Sequence, residues 1–71
     1  MIPDSKNYRP GDTDYIRQLW QTTGHSQRGL ARIIGINERT MRHYLAGEPF
    51  PYTVQFCLEC LAAAAMFNKK E

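Results

Sequence analysis

No stretch of this chain strings together the roughly 18 apolar residues that a membrane-spanning helix requires. Residues 1–9 are polar, without the apolar run of a secretory signal, so a cytoplasmic location and no membrane partner are expected. Cysteine is scarce. Cys57 and Cys60 make one C-x-x-C pair, no second pair exists, and His25 and His43 lie at the wrong spacing for a zinc finger. A redox reading of the pair would need a βαβ pattern, yet no segment alternates with period two for long enough to be a strand. The pair reads as two reduced thiols on a helix, with no metal or other cofactor expected. A phosphate loop, a nucleophile–base pair at recognisable spacing and a metal set are all missing, so no enzyme is expected. Internal repeats are missing as well, and the one biased tract, residues 62–65, is a run of alanine that favours helix.

Net charge is also small. A formal +2 over 71 residues is too weak by itself to imply nucleic acid. Its distribution is more informative. Residues 26–47 hold Arg28, Arg32, Arg39 and Arg42 against Glu38 alone, a local +3 that leaves −1 for the rest of the chain. Apolar content of 42% and charged content of 23% are those of an ordinary globular domain. One domain of this length has a core that supplies only about 3–5 kcal/mol, so an oligomer interface would help it.

The pattern predicts an all-α domain, a small helix-turn-helix bundle of four to five helices occupying residues 11–71 after a flexible or extended arm over residues 1–10, where Pro3 and Pro10 sit among polar neighbours. Asp12 is a good N-cap, and Ile16, Leu19, Trp20 and Thr23 recur at helical spacing, giving a first helix over about residues 13–23 that Gly24 ends. Ser26 caps a second helix with Leu30, Ala31 and Ile34 inward. Gly35 stops it and Ile36 plugs the turn. Asn37 caps a third, with Met41, Tyr44 and Leu45 inward and Gly47 closing it. Trp20, Ile34 and Tyr44 are read as framework. Pro49 and Pro51 then force a break, and Pro51 suits the start of a fourth helix over about residues 52–67.

A helix-turn-helix needs a small residue where its helices pack, a glycine four residues later to turn the chain, and apolar anchors for the second helix. Ala31, Gly35, Ile36, Met41 and Tyr44 fall in that register. Over residues 26–47 the sequence resembles the DNA-binding domain of phage repressors of the λ type. Over residues 26–62, including "NERTMRHYLAGEPFPYTVQFCLECLA" and more loosely through the first helix, it is similar to the anti-CRISPR-associated regulators of phages and mobile elements. That resemblance implies a homodimeric repressor of the operon encoding an anti-CRISPR protein and the regulator itself, bound to an inverted-repeat operator in the promoter. Relatives carry basic residues at the positions of Arg28, Gly29 and Arg39, and Gly29 departs from that pattern.

The major groove accepts an α-helix whose first turns and outer face meet base edges. On that face of the third helix lie Asn37, Glu38, Arg39, Arg42 and His43. Arg39 is the first choice for base readout, since a guanidinium can bond guanine O6 and N7 together. Glu38 either accepts from cytosine N4 or orients Arg39, and His43 reaches either a base or a phosphate. Arg42 is assigned to the DNA backbone. So are Ser26, Gln27 and Arg28 at the start of the second helix, and Asn37 at the start of the third. Arg32 reads as a solvated charge.

From residue 52 to residue 67 the only clearly polar side chains are Thr53, Gln55 and Glu59. Val54, Cys57, Leu58, Leu61 and Ala65 can face the first three helices. Phe56, Cys60, Ala63 and Phe67 make a second apolar face, expected to meet its copy across a two-fold axis. Two other readings remain open: the antitoxin of a toxin–antitoxin pair, and a helical adaptor whose basic helix binds an acidic protein.

Overall fold

The computed structural model describes residues 4–68. A short 3-10 turn at Ser5–Asn7 is followed by four α-helices: α1 (Thr13–Thr23), α2 (Gln27–Ile34), α3 (Glu38–Leu45) and α4 (Tyr52–Asn68). No strand occurs among the described residues. The expected all-α fold and the positions of its helices are those observed.

Local chemistry sets each boundary. Asp12, Ser26 and Asn37 each accept a hydrogen bond from a first-turn amide: that of Tyr15 at 3.2 Å, Gly29 at 3.0 Å and Arg39 at 2.7 Å. At the far end of α2, Gly35 adopts φ +88°. This conformation lets its own N–H and that of Ile36 both reach the Ala31 carbonyl, at 2.8 and 2.9 Å. The chain thereby reverses within two residues, and Ile36 turns inward against the core.

α1 packs chiefly against α4, and α2 chiefly against α3. Between these pairs lies one core, made by Ile16 and Leu19 of α1, Leu30 and Ala31 of α2, Met41 and Leu45 of α3, Phe50, and Val54, Leu58 and Ala62 of α4. A fully buried Leu, Ile or Phe contributes about 1.5–3 kcal/mol, which here opposes the entropy of ordering a short chain.

Two expectations require correction. The inward face of α4 is formed by Val54, Gln55, Leu58, Glu59 and Ala62; Cys57, Leu61 and Ala65 lie at its margins, half-buried. The polar residues Gln55 and Glu59 are 0% and 2% exposed. Their burial is possible because residues 4–10, expected as a flexible or extended arm, are held against α4; residues 1–3 of that arm lie outside the described residues. The Gln55 amide accepts from the Arg9 N–H at 2.8 Å and donates to the Asn7 carbonyl at 2.9 Å, gripping the backbone on both sides of Tyr8. The Tyr8 hydroxyl donates to the Phe50 carbonyl, and the Arg9 guanidinium lies 4.5 Å above the Tyr15 ring.

Glu59 Oε2 accepts from the Tyr15 hydroxyl and, at 3.1 Å, from the Gln55 amide, whereas Oε1 is buried with no partner among the described residues. Burial and the bond to this carboxylate push the Tyr15 phenol up to about 12. A raised phenol favours the folded protein at every pH below its unfolded value near 10, and that contribution disappears as pH climbs toward 12. Stability followed by circular dichroism should therefore drop between about pH 10 and 12, and Tyr15→Phe should flatten that drop. An equally steep drop in the Tyr15→Phe protein would show that this hydroxyl is not its source.

Candidate nucleic-acid interface

Solvent faces one continuous surface made by the start of α2 and the outer side of α3. Ser26 and Asn37 occupy the two N-cap positions, and capping uses only their acceptor oxygens. The Ser26 hydroxyl hydrogen and the Asn37 amide hydrogens remain as donors. The backbone N–H groups of Gln27 and Arg28 have no intrahelical acceptor, because they belong to the first turn. A Cβ at Gly29 would stand 3.2 Å from Ser26 Oγ, so glycine there leaves the capping oxygen undisturbed.

Arg28 follows on α2 with its side chain 76% exposed, and its Nε lies 3.5 Å from Glu38 Oε1 at the start of α3. The carboxylate thus meets Arg28 and not Arg39, whose orientation was one of the two roles expected of it. An exposed pair of this kind contributes at most about 1 kcal/mol, so an approaching phosphate can replace Glu38 at little cost. Arg39 and Arg42 are exposed one turn apart on α3, and neither joins an ion pair among the described residues. His43 lies beyond them, half-exposed, with Nδ1 2.7 Å from Glu48 Oε2. Arg32 is exposed on α2. Most residues expected to meet backbone and base edges are thus exposed, and the Arg28–Glu38 contact joins the starts of α2 and α3, while Met41 and Leu45 fix the inner side of α3 in the core.

Sequence reasoning passed over two residues that hold this surface in place. Arg17 of α1 donates from Nε to the Leu45 carbonyl at 2.8 Å. That carbonyl belongs to the last turn of α3, where a cation both completes the hydrogen bonding and suits the helix dipole. Glu48 sits immediately after the glycine that ends α3, a position whose side chain can reach back over the last turn. The spacing from His43 was a readable signal. Trp20, read as framework, donates from its indole N–H to the His25 carbonyl at 2.8 Å and so fixes the loop that leads into α2.

On α4, Phe56 is 45% exposed and Phe67 75% exposed; Cys60 is exposed and Ala63 half-buried between them. Spacings of four, three and four residues place these side chains along one stripe. Tyr52 adjoins it, with its ring 6.0 Å from that of Phe56. Both cysteines are free thiols. Among the described residues no helix is long and apolar enough to cross a membrane. Neither a protein-family model nor a curated protein matches the chain.

Proposed function

We propose that the protein is a sequence-specific DNA-binding repressor that acts as a homodimer on an inverted-repeat operator. Its resemblance to the anti-CRISPR-associated regulators points to the promoter of its own operon as the target. The observation that carries this reading is the α2–turn–α3 unit, with Arg39 and Arg42 exposed on α3 and bound to no carboxylate among the described residues. A helix anchored by Met41 and Leu45 and supported at its end by Arg17 is a rigid element of the width a major groove accepts. In this reading Arg39, in its first turn, meets guanine. Arg28, Arg42 and the capping groups of Ser26 and Asn37, with Gln27, meet phosphates.

The stripe Phe56, Cys60, Ala63 and Phe67 supports the dimer. A domain this small gains from covering an exposed apolar helix face, and the small residues at its centre permit close approach of a second copy. A two-fold axis there would carry two α3 helices to grooves about 34 Å apart, which calls for an inverted repeat.

Binding to duplex DNA measured by fluorescence anisotropy between about 50 and 200 mM salt tests this reading. Each phosphate neutralised contributes about −0.9 to the slope of log affinity against log salt. A dimer using Arg28 and Arg42 of both subunits should therefore give a slope of about −3 to −4. No binding even at the lowest salt would contradict it and favour a protein-binding adaptor.

A further inference from the structure

His43 and Glu48 are tied together twice. The Glu48 N–H donates to the His43 carbonyl at 3.1 Å, while the Gly47 N–H donates to that of Tyr44 at 3.3 Å. These two bonds form the closing motif of a helix that ends on a left-handed residue, and Gly47 supplies the required φ of +126°. Pro49 follows directly and narrows the backbone of Glu48 to extended conformations. The Glu48 carboxylate is thereby delivered to the His43 ring by the backbone itself, and it meets Nδ1 at 2.7 Å. The ring is about half exposed, and its Nε2 has no hydrogen-bond partner among the described residues.

An ionised carboxylate can only accept hydrogen bonds, so the ring nitrogen facing it must carry the hydrogen. In the neutral imidazole one nitrogen donates and the other accepts, and the partner of the first decides the role of the second. We infer that Glu48 is a positioning residue for base recognition: it holds the neutral His43 ring with its hydrogen on Nδ1, so that Nε2 selects a base presenting an amino group in the major groove, cytosine N4 or adenine N6. This rests on the DNA-binding reading above. For the neutral ring it separates the two roles left open for His43, because an accepting Nε2 has nothing to gain from a phosphate oxygen. It also disfavours guanine and thymine at that position, whose corresponding edges present only acceptors or a methyl group. Arg39 and Arg42, which precede His43 on the same helix, are donors and read or bind the complementary kind of atom.

Two measurements test the inference. The first uses the free protein, with long-range ¹H–¹⁵N spectra of the imidazole recorded at about pH 9, above the ordinary imidazole range. His43 should carry its hydrogen on Nδ1, and in Glu48→Ala it should move toward Nε2, with the amide spectrum otherwise retaining the pattern of the same fold. The second selects bound sites from a pool of random duplexes, comparing the unmodified protein with Glu48→Ala and His43→Ala. Both variants should relax the same base pair of each half-site, lowering the preference there about five- to tenfold, the scale of one hydrogen bond. A hydrogen on Nε2 in the unmodified protein would overturn the inference whatever the DNA result. So would a base pair relaxed by His43→Ala and left intact by Glu48→Ala. Failure of the unmodified protein to enrich any site, alongside the expected ring state, would overturn the base assignment together with the DNA-binding reading beneath it.

Discussion

Replacing Phe56 by glutamate should leave a folded monomer whose operator affinity is lower by roughly 10²–10⁴-fold, the range by which linking two binding events exceeds one. Phe56 is already 45% exposed, so a charged side chain there costs the isolated subunit little. In the proposed dimer the same position lies in the apolar stripe of α4. The two-fold axis would bring a glutamate from each subunit out of water and toward its copy. An unpaired carboxylate buried in this way costs several kcal/mol, enough to separate the subunits. Each monomer would retain its own α3, so its contacts to one half-site survive and only the gain from the second is lost. Ala63→Glu should behave alike. Sedimentation velocity with anisotropy on one operator duplex reads both effects together. A variant that remains dimeric and binds normally would place the interface elsewhere.

Leu30→Ala should unfold most of the protein at 25 °C. Leu30 is 0% exposed on the inner side of α2, where it belongs to the core shared with α1, α3 and α4. Truncating a buried leucine costs about 2–5 kcal/mol, through lost transfer energy and the cavity left behind. A domain of this length has only about 3–5 kcal/mol to lose, so nearly the whole margin goes with one side chain. Chemical denaturation followed by circular dichroism should show little or no folded baseline in the variant. If the dimer contributes as proposed, higher protein concentration should recover part of the folded population. A loss below about 1 kcal/mol would mean that α2 is packed more loosely than its burial indicates.

The parts of this fold that depend on near neighbours were legible in the sequence. Asp12, Ser26 and Asn37 cap the helices they were expected to cap, and Gly24 and Gly35 adopt the positive φ that ends α1 and α2. Those signals act over two to four residues, as do the apolar spacings that buried Leu30, Ala31, Met41 and Leu45. The inner face of α4 was misassigned because its determinants are remote. Gln55 and Glu59 read as solvent-facing on any local pattern, and they are buried because Asn7, Arg9 and Tyr15, more than forty residues earlier in the chain, meet them there. A polar side chain is inward when tertiary partners satisfy it, and no periodicity announces those partners. Among the surface residues, Arg39 and Arg42 could be nominated from their register alone. The pairing of Glu38 with Arg28 depends on how α2 and α3 cross, which spacing within either helix does not determine.

Sites selected from random duplex DNA by the unmodified protein and by Arg39→Ala test the central claim most directly. The expected result for the unmodified protein is an inverted repeat whose half-sites lie about 34 Å apart, one turn of the duplex. Arg39→Ala should relax a single base pair in each half-site and cost about 1–3 kcal/mol per half-site, leaving affinity for random duplexes nearly unchanged. Recovery of no common sequence by the unmodified protein, or an equal loss on selected and random DNA for Arg39→Ala, would contradict the assignment of α3 as the helix that reads the operator.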